Sequence, residues 1–219
     1  MPFQIDIDAA INKKRKVIIN KSRKIGVTET VLRSIAMNCF HRYVGYTIMI
    51  VAGNRMLQAE ATLDRFSKLF ENGFTDLDGM HFSYSDLVKK STKSSMKLFN
   101  GTTIRVFPAE AVRGPNRVIC VFLDEAAFIR QKDDAAVYAA LKPNIANTDG
   151  DFIIVSTSHG KRGIFYDLWN EGRMYKMELP YTLAVGKILS EEFILDEKEK
   201  SKILFEQEYE FKFTTSKMQ

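Results

Sequence analysis

KSRKIGVTETVL, residues 21–32, follows directly on the apolar run KVIIN at residues 16–20. Whether this junction cradles a phosphate or is a basic connection between a strand and a helix decides how the chain is read. The usual phosphate loop, G-x-x-x-x-G-K-[ST], is entered from a strand and left through a helix. With Gly26 on the second glycine, Thr28 falls on the hydroxyl position, Val27 where the lysine belongs and Lys21 on the first glycine. KVIIN is expected to be a strand buried on both faces. After Thr28, the residues Val31, Leu32, Ile35, Ala36, Cys39 and Phe40 form a one-sided helical stripe. The first-turn amides of such a helix are unpaired and carry the positive end of its dipole, which suits a phosphate. Gly26 allows close approach or a positive φ, and Thr28 can offer its hydroxyl to Mg²⁺. The plainer alternative is a basic connection with Thr28 as N-cap.

Outward from this loop, apolar runs alternate with helical patterns. Strands are expected at 47–51 (TIMIV), 117–124 (RVICVFLD), 151–157 (DFIIVST) and near 175–180. Residues 96–108 (MKLFNGTTIRVFP) read as a hairpin turning at Asn100-Gly101. Helices are expected at 54–70, about 133–142, 163–171, 191–197 and about 199–212. This alternation predicts an α/β domain with a mostly parallel central sheet and helices on both faces. Ligands of such folds sit beyond the carboxyl ends of the strands.

Two further stretches end at that edge. In RVICVFLDEAAF, residues 117–128, a strand closes on two adjacent acids. Asp124 can hold Mg²⁺, and Glu125 can orient or deprotonate an attacking water. The alternative is a helix N-terminus with two acids favoured by the dipole. In DFIIVSTSHGKRG, residues 151–163, a strand runs into Ser156, Thr157 and Ser158. These hydroxyls can touch a γ-phosphate or relay its loss; otherwise they satisfy local backbone groups in a turn. His159 reads as a surface loop histidine, since no second histidine is placed to join it. The loop, the acid pair about 100 residues later and the hydroxyls about 30 further on would meet in one crevice.

These stretches together resemble the ATPase domain of viral large terminases, the motors that pump DNA into phage and related capsids. The resemblance is carried by residues 96–129, MKLFNGTTIRVFPAEAVRGPNRVICVFLDEAAFI, by STSHGKRGIFYDLW and by FEQEYEFKF. It covers nearly the whole chain and implies a P-loop NTPase of the RecA/ASCE-like kind. It implies ATP as substrate with Mg²⁺, and a nucleotide loop of Lys21, Ser22, Arg23, Lys24, Ile25, Gly26, Val27 and Thr28. Some terminases carry the phosphate-loop lysine at the loop's first position, where Lys21 stands, with Lys24 as the competing lysine. Arg23 matches a position that stabilises γ-phosphate charge. Gln4, 17 positions before Lys21, is similar to the glutamine by which related motors read adenine. The implied metal ligands are Thr28 and Asp124, the implied catalytic residues Glu125 and Arg23, and the implied coupling residues Ser156, Thr157 and Ser158. The implied partners are double-stranded DNA, a portal protein, a small terminase subunit and further copies in a ring on the portal. In isolation a monomer is expected, and the implied location is the cytoplasm of the infected host cell. Full-length large terminases carry a nuclease domain after the QEY segment. No acidic triad for it is visible here, so no nuclease activity is expected of this chain.

The bulk numbers agree with one motor domain. The 219 residues suffice for one α/β domain with its own core, and 190–219 would be a closing helical segment. Apolar residues at 45% and charged residues at 27% are globular values. No apolar run is long enough to span a membrane, and the start lacks a signal peptide's pattern. Cys39 and Cys120 sit in apolar stretches and are expected buried and reduced. The net charge of +5 suits a polyanion. The basic runs at 13–16, 89–97 and 160–163 can meet DNA phosphates, but each alone reads as a solvated loop or turn face. Two rival readings remain from sequence. One is a superfamily 2 helicase-like fragment, which would need a second motor domain. The other is a nucleic-acid-binding module with an inactive nucleotide site, supported by Val27 where a lysine is usual.

Overall fold

Strands that are apolar on both faces must be covered on both, and the chain does this by alternating them with helices. The computed structural model describes residues 1–76, 78–112, 114–130 and 134–213. Helix α1 (Pro2–Lys14) leads into β1 (Lys16–Lys21), α2 (Val27–Asn38), β2 (Thr47–Ala52) and α3 (Met56–Lys68). A two-stranded hairpin, β3 (Phe74–Thr75) and β4 (His81–Phe82), precedes the short helix α4 (Tyr84–Leu87). Then come β5 (Val88–Ser91), β6 (Ser95–Leu98), β7 (Thr103–Phe107) and β8 (Val118–Asp124). The chain continues through α5 (Asp134–Leu141), β9 (Asp151–Ser156), α6 (Gly163–Glu171), β10 (Tyr175–Leu179), α7 (Glu191–Lys200) and α8 (Lys202–Glu208).

Eight strands form one sheet in the order β10-β1-β9-β8-β2-β7-β6-β5. It is parallel from β10 to β7, and β6 and β5 add an antiparallel edge. The strand ending in hydroxyls, β9, is inserted between the loop strand β1 and the acid strand β8. That order brings the three sequence-marked ends side by side. Ile18, Ile154, Leu123 and Val51 form one row across four strands. One further along, Ile19, Val155 and Asp124 share the next row. Helices α1, α2 and α3 cover one face and α5 and α6 the other.

The expected elements are found with small shifts of their ends. The 199–212 segment is shorter: Ser201 has an extended backbone, caps Leu204 through its hydroxyl, and α8 ends at Glu208. The preceding helix correspondingly runs to Lys200. Residue 133 of the expected helix, and Arg113 of the AVRG stretch, lie outside the described residues. The run at 89–97, read from sequence as a solvated loop or turn, is the edge hairpin β5–β6. Helix α1 was not expected. It packs parallel to α2 through three side-chain rungs at a constant separation of 26: Gln4–Thr30, Asp8–Ser34 and Asn12–Asn38, at 3.3, 2.6 and 2.9 Å. Both cysteines are buried and free, as expected.

At the sheet's opposite edge Asp151, 1% exposed, accepts from both Arg42 (2.7 and 2.8 Å) and the Tyr43 hydroxyl (2.5 Å). Burial raises the Asp151 pKa, while Tyr43 and Arg42 oppose that rise. Arg42→Ala is expected to cost roughly 2–3 kcal/mol near neutral pH, because it leaves a buried carboxylate with one partner. Without Arg42 the carboxyl group takes a proton more readily, and the protonated form needs no cation. The loss should therefore be largest where Asp151 is ionised and shrink as the pH falls. Urea titrations of both proteins at neutral and mildly acid pH check this; a loss that does not change with pH would remove Asp151 from the account.

Candidate nucleotide-binding site

The loop between β1 and α2 leaves backbone amides free at the start of the helix. Gly26 is the N-cap of α2 with φ 83°, a left-handed conformation that glycine adopts without strain. No side chain caps this helix, so its first-turn amides have no intrahelical acceptor. Among the described residues, the amides of Lys24, Ile25 and Gly26 also donate to no acceptor. Ile25 and Val27 are buried and anchor the loop to the core. Val27 takes the usual lysine position with a core side chain. Thr28 is therefore not the N-cap that the plainer sequence reading required. Its hydroxyl sits within the first turn and donates to Asp124 Oδ1 at 3.1 Å.

The two candidate lysines face opposite ways. Lys21 ends β1, is 5% exposed, and places Nζ 2.8 Å from Glu125 Oε1 and 3.4 Å from Thr157 Oγ1. Lys24 is exposed, with a left-handed backbone (φ 59°), and its ammonium lies 5.4 Å from the centre of the Phe193 ring on α7. Arg23 places one guanidinium nitrogen, Nη1, 2.7 and 2.9 Å from the two carboxylate oxygens of Glu208. Hydrogen bonding to Glu208 raises the Arg23 pKa. Ser22 is fully buried and donates to the Tyr209 carbonyl at 2.6 Å. Two residues of the loop are thus tied to the closing segment at 201–211.

A cleft of about 420 Å³ opens at the carboxyl ends of the strands, lined among others by Arg23, Asn54, Asp124, Glu125, Phe128 and Thr157. Lys21 and Thr28 lie behind this lining, each hydrogen-bonded to a residue in it. Asp124 is 7% exposed, and burial, then the neighbouring charge of Glu125, pushes its pKa up to about 6. Lys21 and the Thr28 hydroxyl pull in the other direction. Glu125 takes a left-handed backbone, φ 53°, which costs a residue with a Cβ some strain and aims its carboxylate at Lys21.

The three hydroxyls after β9 divide. Thr157 faces the cleft. Ser156 Oγ accepts from the Ala127 amide at 3.0 Å and holds the segment after Glu125. Ser158 accepts from the Asn20 side-chain amide at 2.9 Å, and its single hydroxyl proton lies between the Phe211 carbonyl at 2.9 Å and Asn20 Oδ1 at 3.1 Å. Gln4 does not line the cleft. It stands in the groove between α1 and α2, where its amide meets Thr30 and the N-terminal ammonium. His159 is half-buried rather than a free surface residue: its ring centre is 4.6 Å from that of Phe128, and its Nδ1 is 3.2 Å from Gln207.

Sequence reasoning missed Asn54, Phe128 and Glu208. Asn54 follows the carboxyl end of β2, which the edge rule for ligands could have flagged. Its Oδ1 is buried and has no hydrogen-bond partner, so an oxygen acceptor in the wall awaits a donor. Gly53 before it has φ 66°, and a Cβ there would come within 2.3 Å of Gln58 Oε1. The residues present fit a divalent cation of the Mg²⁺ kind: the Thr28 hydroxyl and the Asp124 carboxylate are hard oxygen donors side by side. No cluster of three or more His, Cys, Asp or Glu suited to a metal occurs among the described residues.

Sheet order, loop and cleft together define a P-loop fold. Among solved structures it is the fold of phage large terminase ATPase domains. The chain matches the Thermus phage P74-26 large terminase ATPase domain with a TM-score of 0.63 at 19% identity, over 95% of this chain and 93% of that one. It matches the large terminase of the thermophilic bacteriophage D6E in complex with ADP with a TM-score of 0.72 at 12% identity, over 96% of this chain and 52% of that one. The large terminase of bacteriophage HK97 gives 0.70 at 15%, over 96% and 50%. The chain thus spans about half the length of the D6E and HK97 proteins. At these identities the likeness is one of fold. No protein-family profile matches the chain. Among the described residues no helix is long and apolar enough to cross a membrane.

Proposed function

We propose that this chain is the ATPase motor domain of a viral DNA-packaging terminase, hydrolysing ATP with Mg²⁺ to drive double-stranded DNA into a capsid. The observation that carries this reading is the meeting of Lys21, Thr28, Asp124, Glu125 and Thr157 around one cleft, beside a loop with unused amides. The likeness to terminase ATPase domains, one of them solved with ADP, supports it.

The residues divide the work as follows. The amides of residues 24–28 receive the phosphates at the start of α2. Lys21 stands where it can reach the β- and γ-phosphate oxygens. Thr28 and Asp124 would hold Mg²⁺, which when bound offsets the negative charge that develops on the phosphate oxygens. Glu125 takes a proton from a water as its oxygen bonds to the γ-phosphorus; the bond to the bridging oxygen breaks and ADP leaves. Before nucleotide arrives, the Lys21 ammonium occupies Glu125. Phosphate competes for the same ammonium, so binding frees the base that hydrolysis needs. Arg23, held at the mouth by Glu208, supplies further charge beside the γ-phosphate. For Gln4 to contact adenine, as this reading has it, the base must leave the cleft for the α1–α2 groove where Gln4 stands; Ser156, Thr157 and Ser158 relay loss of the γ-phosphate. The partners are double-stranded DNA, a portal protein, a small terminase subunit and other copies in a ring, with a monomer expected in isolation. The place of action is the cytoplasm of an infected host cell. We further assign these residues no nuclease chemistry.

Equilibrium binding of ATP, and its turnover with and without Mg²⁺, tests the proposal. Slow, Mg²⁺-dependent hydrolysis is expected. Absence of ATP binding under both conditions would favour a nucleic-acid-binding module with an inactive site.

A further inference from the structure

The sheet is covered unevenly. The apolar cluster under α5 and α6 takes in no side chain of β5 or β6, and only Phe107 of β7. Burial alternates along these strands: Met96, Leu98, Ile104 and Val106 point inward, while Lys97 and Arg105 are exposed. Register fixes the faces. Arg105 is level with Met49 of β2, on the face that α5 and α6 cover further in. Ser95 pairs with Arg105, Thr103 with Lys97, and Lys97 with Lys90. Lys90, Lys97 and Arg105 therefore share one open face on three successive strands, each step about 4.8 Å. Lys93 lies in the turn between β5 and β6. That turn sits at the carboxyl end of β7, since Ser94 O accepts from the Val106 amide at 3.0 Å. The patch thus reaches the same edge as the nucleotide cleft.

No ion pair stabilises this arrangement among the described residues. Two ammonium groups directly opposite on paired strands repel. Among the described residues none of Lys89, Lys90, Lys93, Lys97 and Arg105 has a carboxylate within ion-pair distance. Arg105 rests its guanidinium 5.3 Å from the centre of the Phe107 ring. Residues 88–107 hold these five basic side chains and no acidic one; without them the 32 Lys and Arg fall to 27, equal to the 27 Asp and Glu. The chain's whole net charge of +5 is concentrated on this hairpin and its neighbour strand.

We propose that the open face of β5–β7 docks the phosphate backbone of double-stranded DNA, with Lys90, Lys97 and Arg105 as the phosphate contacts. This rests on the motor reading above and says where the cargo lies. The chemistry favours a duplex backbone. A single strand is usually held by bases stacked on successive aromatic rings; here Phe107 carries the Arg105 guanidinium, and Phe99, 60% exposed just past the end of β6, is a lone ring at the end away from Lys93. A membrane surface requires apolar anchors among the cations; between Lys97 and Arg105 this face offers Ser95 and Thr103, with Phe99 a single exposed ring at its far end. The Ser95 and Thr103 hydroxyls can donate to phosphate oxygens.

The test compares the wild type with the variant Lys90→Gln/Lys97→Gln/Arg105→Gln in binding a short DNA duplex across a salt series. Each lost phosphate contact should flatten the slope of log affinity against log salt by about 0.9, so by about 2.7 in all, with affinity at low salt falling about tenfold or more. The variant Lys13→Gln/Lys14→Gln, in the other basic run, should keep the wild-type slope. Lys90→Gln alone should melt no lower than the wild type, since it relieves a like-charge pair; that separates docking from folding. ATP turnover without DNA should be unchanged in all of them. A triple variant with wild-type slope and affinity would overturn the assigned surface while leaving the DNA motor standing. A wild type that hydrolyses ATP yet binds no duplex, or binds phosphatidylserine vesicles in its place, would overturn the surface and the DNA cargo but not the ATPase.

Discussion

Glu125→Gln is expected to bind ATP as the wild type does and to turn it over at least about 10²-fold more slowly, the usual loss for a general base. The amide keeps the size and the reach of the carboxylate but cannot accept a proton. Its geometry should survive, because the left-handed turn at Glu125 is held from outside by the Ser156 contact to Ala127 and by the strand end at Asp124. Binding should even tighten slightly, since Lys21 loses its anionic partner at 2.8 Å and is freer for phosphate. Single-turnover kinetics with separate measurement of ATP affinity check both halves. Wild-type hydrolysis by the variant would take Glu125 out of the chemistry and leave it as the partner that keeps Lys21 in place.

Lys21→Ala should be the more damaging of the two lysine substitutions in the loop. Losing one charge-assisted contact to phosphate costs roughly 1.5–3 kcal/mol, about ten- to a hundredfold in affinity or rate. Lys24→Ala should be close to silent, because that side chain is exposed and faces α7. MgATP affinity and turnover of the two single variants decide between them. The reverse order of effects would transfer the phosphate role to Lys24. If neither substitution matters, the loop is structural and the inactive-site module is the better account. A Val27→Lys variant carries no such information, since Val27 is buried in the core.

Much of this site could be read in the sequence because it lies at the ends of strongly apolar strands. KVIIN, RVICVFLD and DFIIVS are buried on both faces, and such strands announce themselves as unbroken apolar runs. Their carboxyl ends are then known to within a residue, and so are Lys21, Asp124 and Thr157. Lys21 emerges at the crevice for the same reason, since β1 runs through it; that it is the loop's phosphate lysine came from the family resemblance, with Lys24 as its competitor. What could not be read falls into two kinds. Helix α1 hid because QIDIDA alternates like a strand: the exposed Ile5, at 72%, masks the buried stripe Phe3, Ile7, Ala10 and Ile11. Edge strand β5 hid because only Val88 of its four residues is buried. The other kind is long-range pairing. Arg23 and Glu208 are 185 positions apart, and nothing local to FEQEY marks Glu208 as the partner that fixes the loop's arginine. The division of the Ser156, Thr157 and Ser158 hydroxyls follows from which neighbours surround each, and that is set by sheet order.

The ladder between α1 and α2 sets how the amino terminus breathes. Terminal helices ordinarily fray, and their amides exchange with solvent through small local openings. Here one rung per turn joins Gln4, Asp8 and Asn12 to Thr30, Ser34 and Asn38, and Asn12 passes the connection through Arg42 to Asp151 at the start of β9. Lifting α1 away would strand buried hydroxyls on α2, the helix that follows the 21–26 loop, and uncover Phe3, Ile7 and Ile11. The first 14 residues therefore belong to the same cooperative unit as the loop helix and the central strands. Their amide protons should exchange by the opening that exposes α2, and a nucleotide that slows exchange in the loop should slow it in α1 as well, along a helix that touches the nucleotide at Gln4 at most.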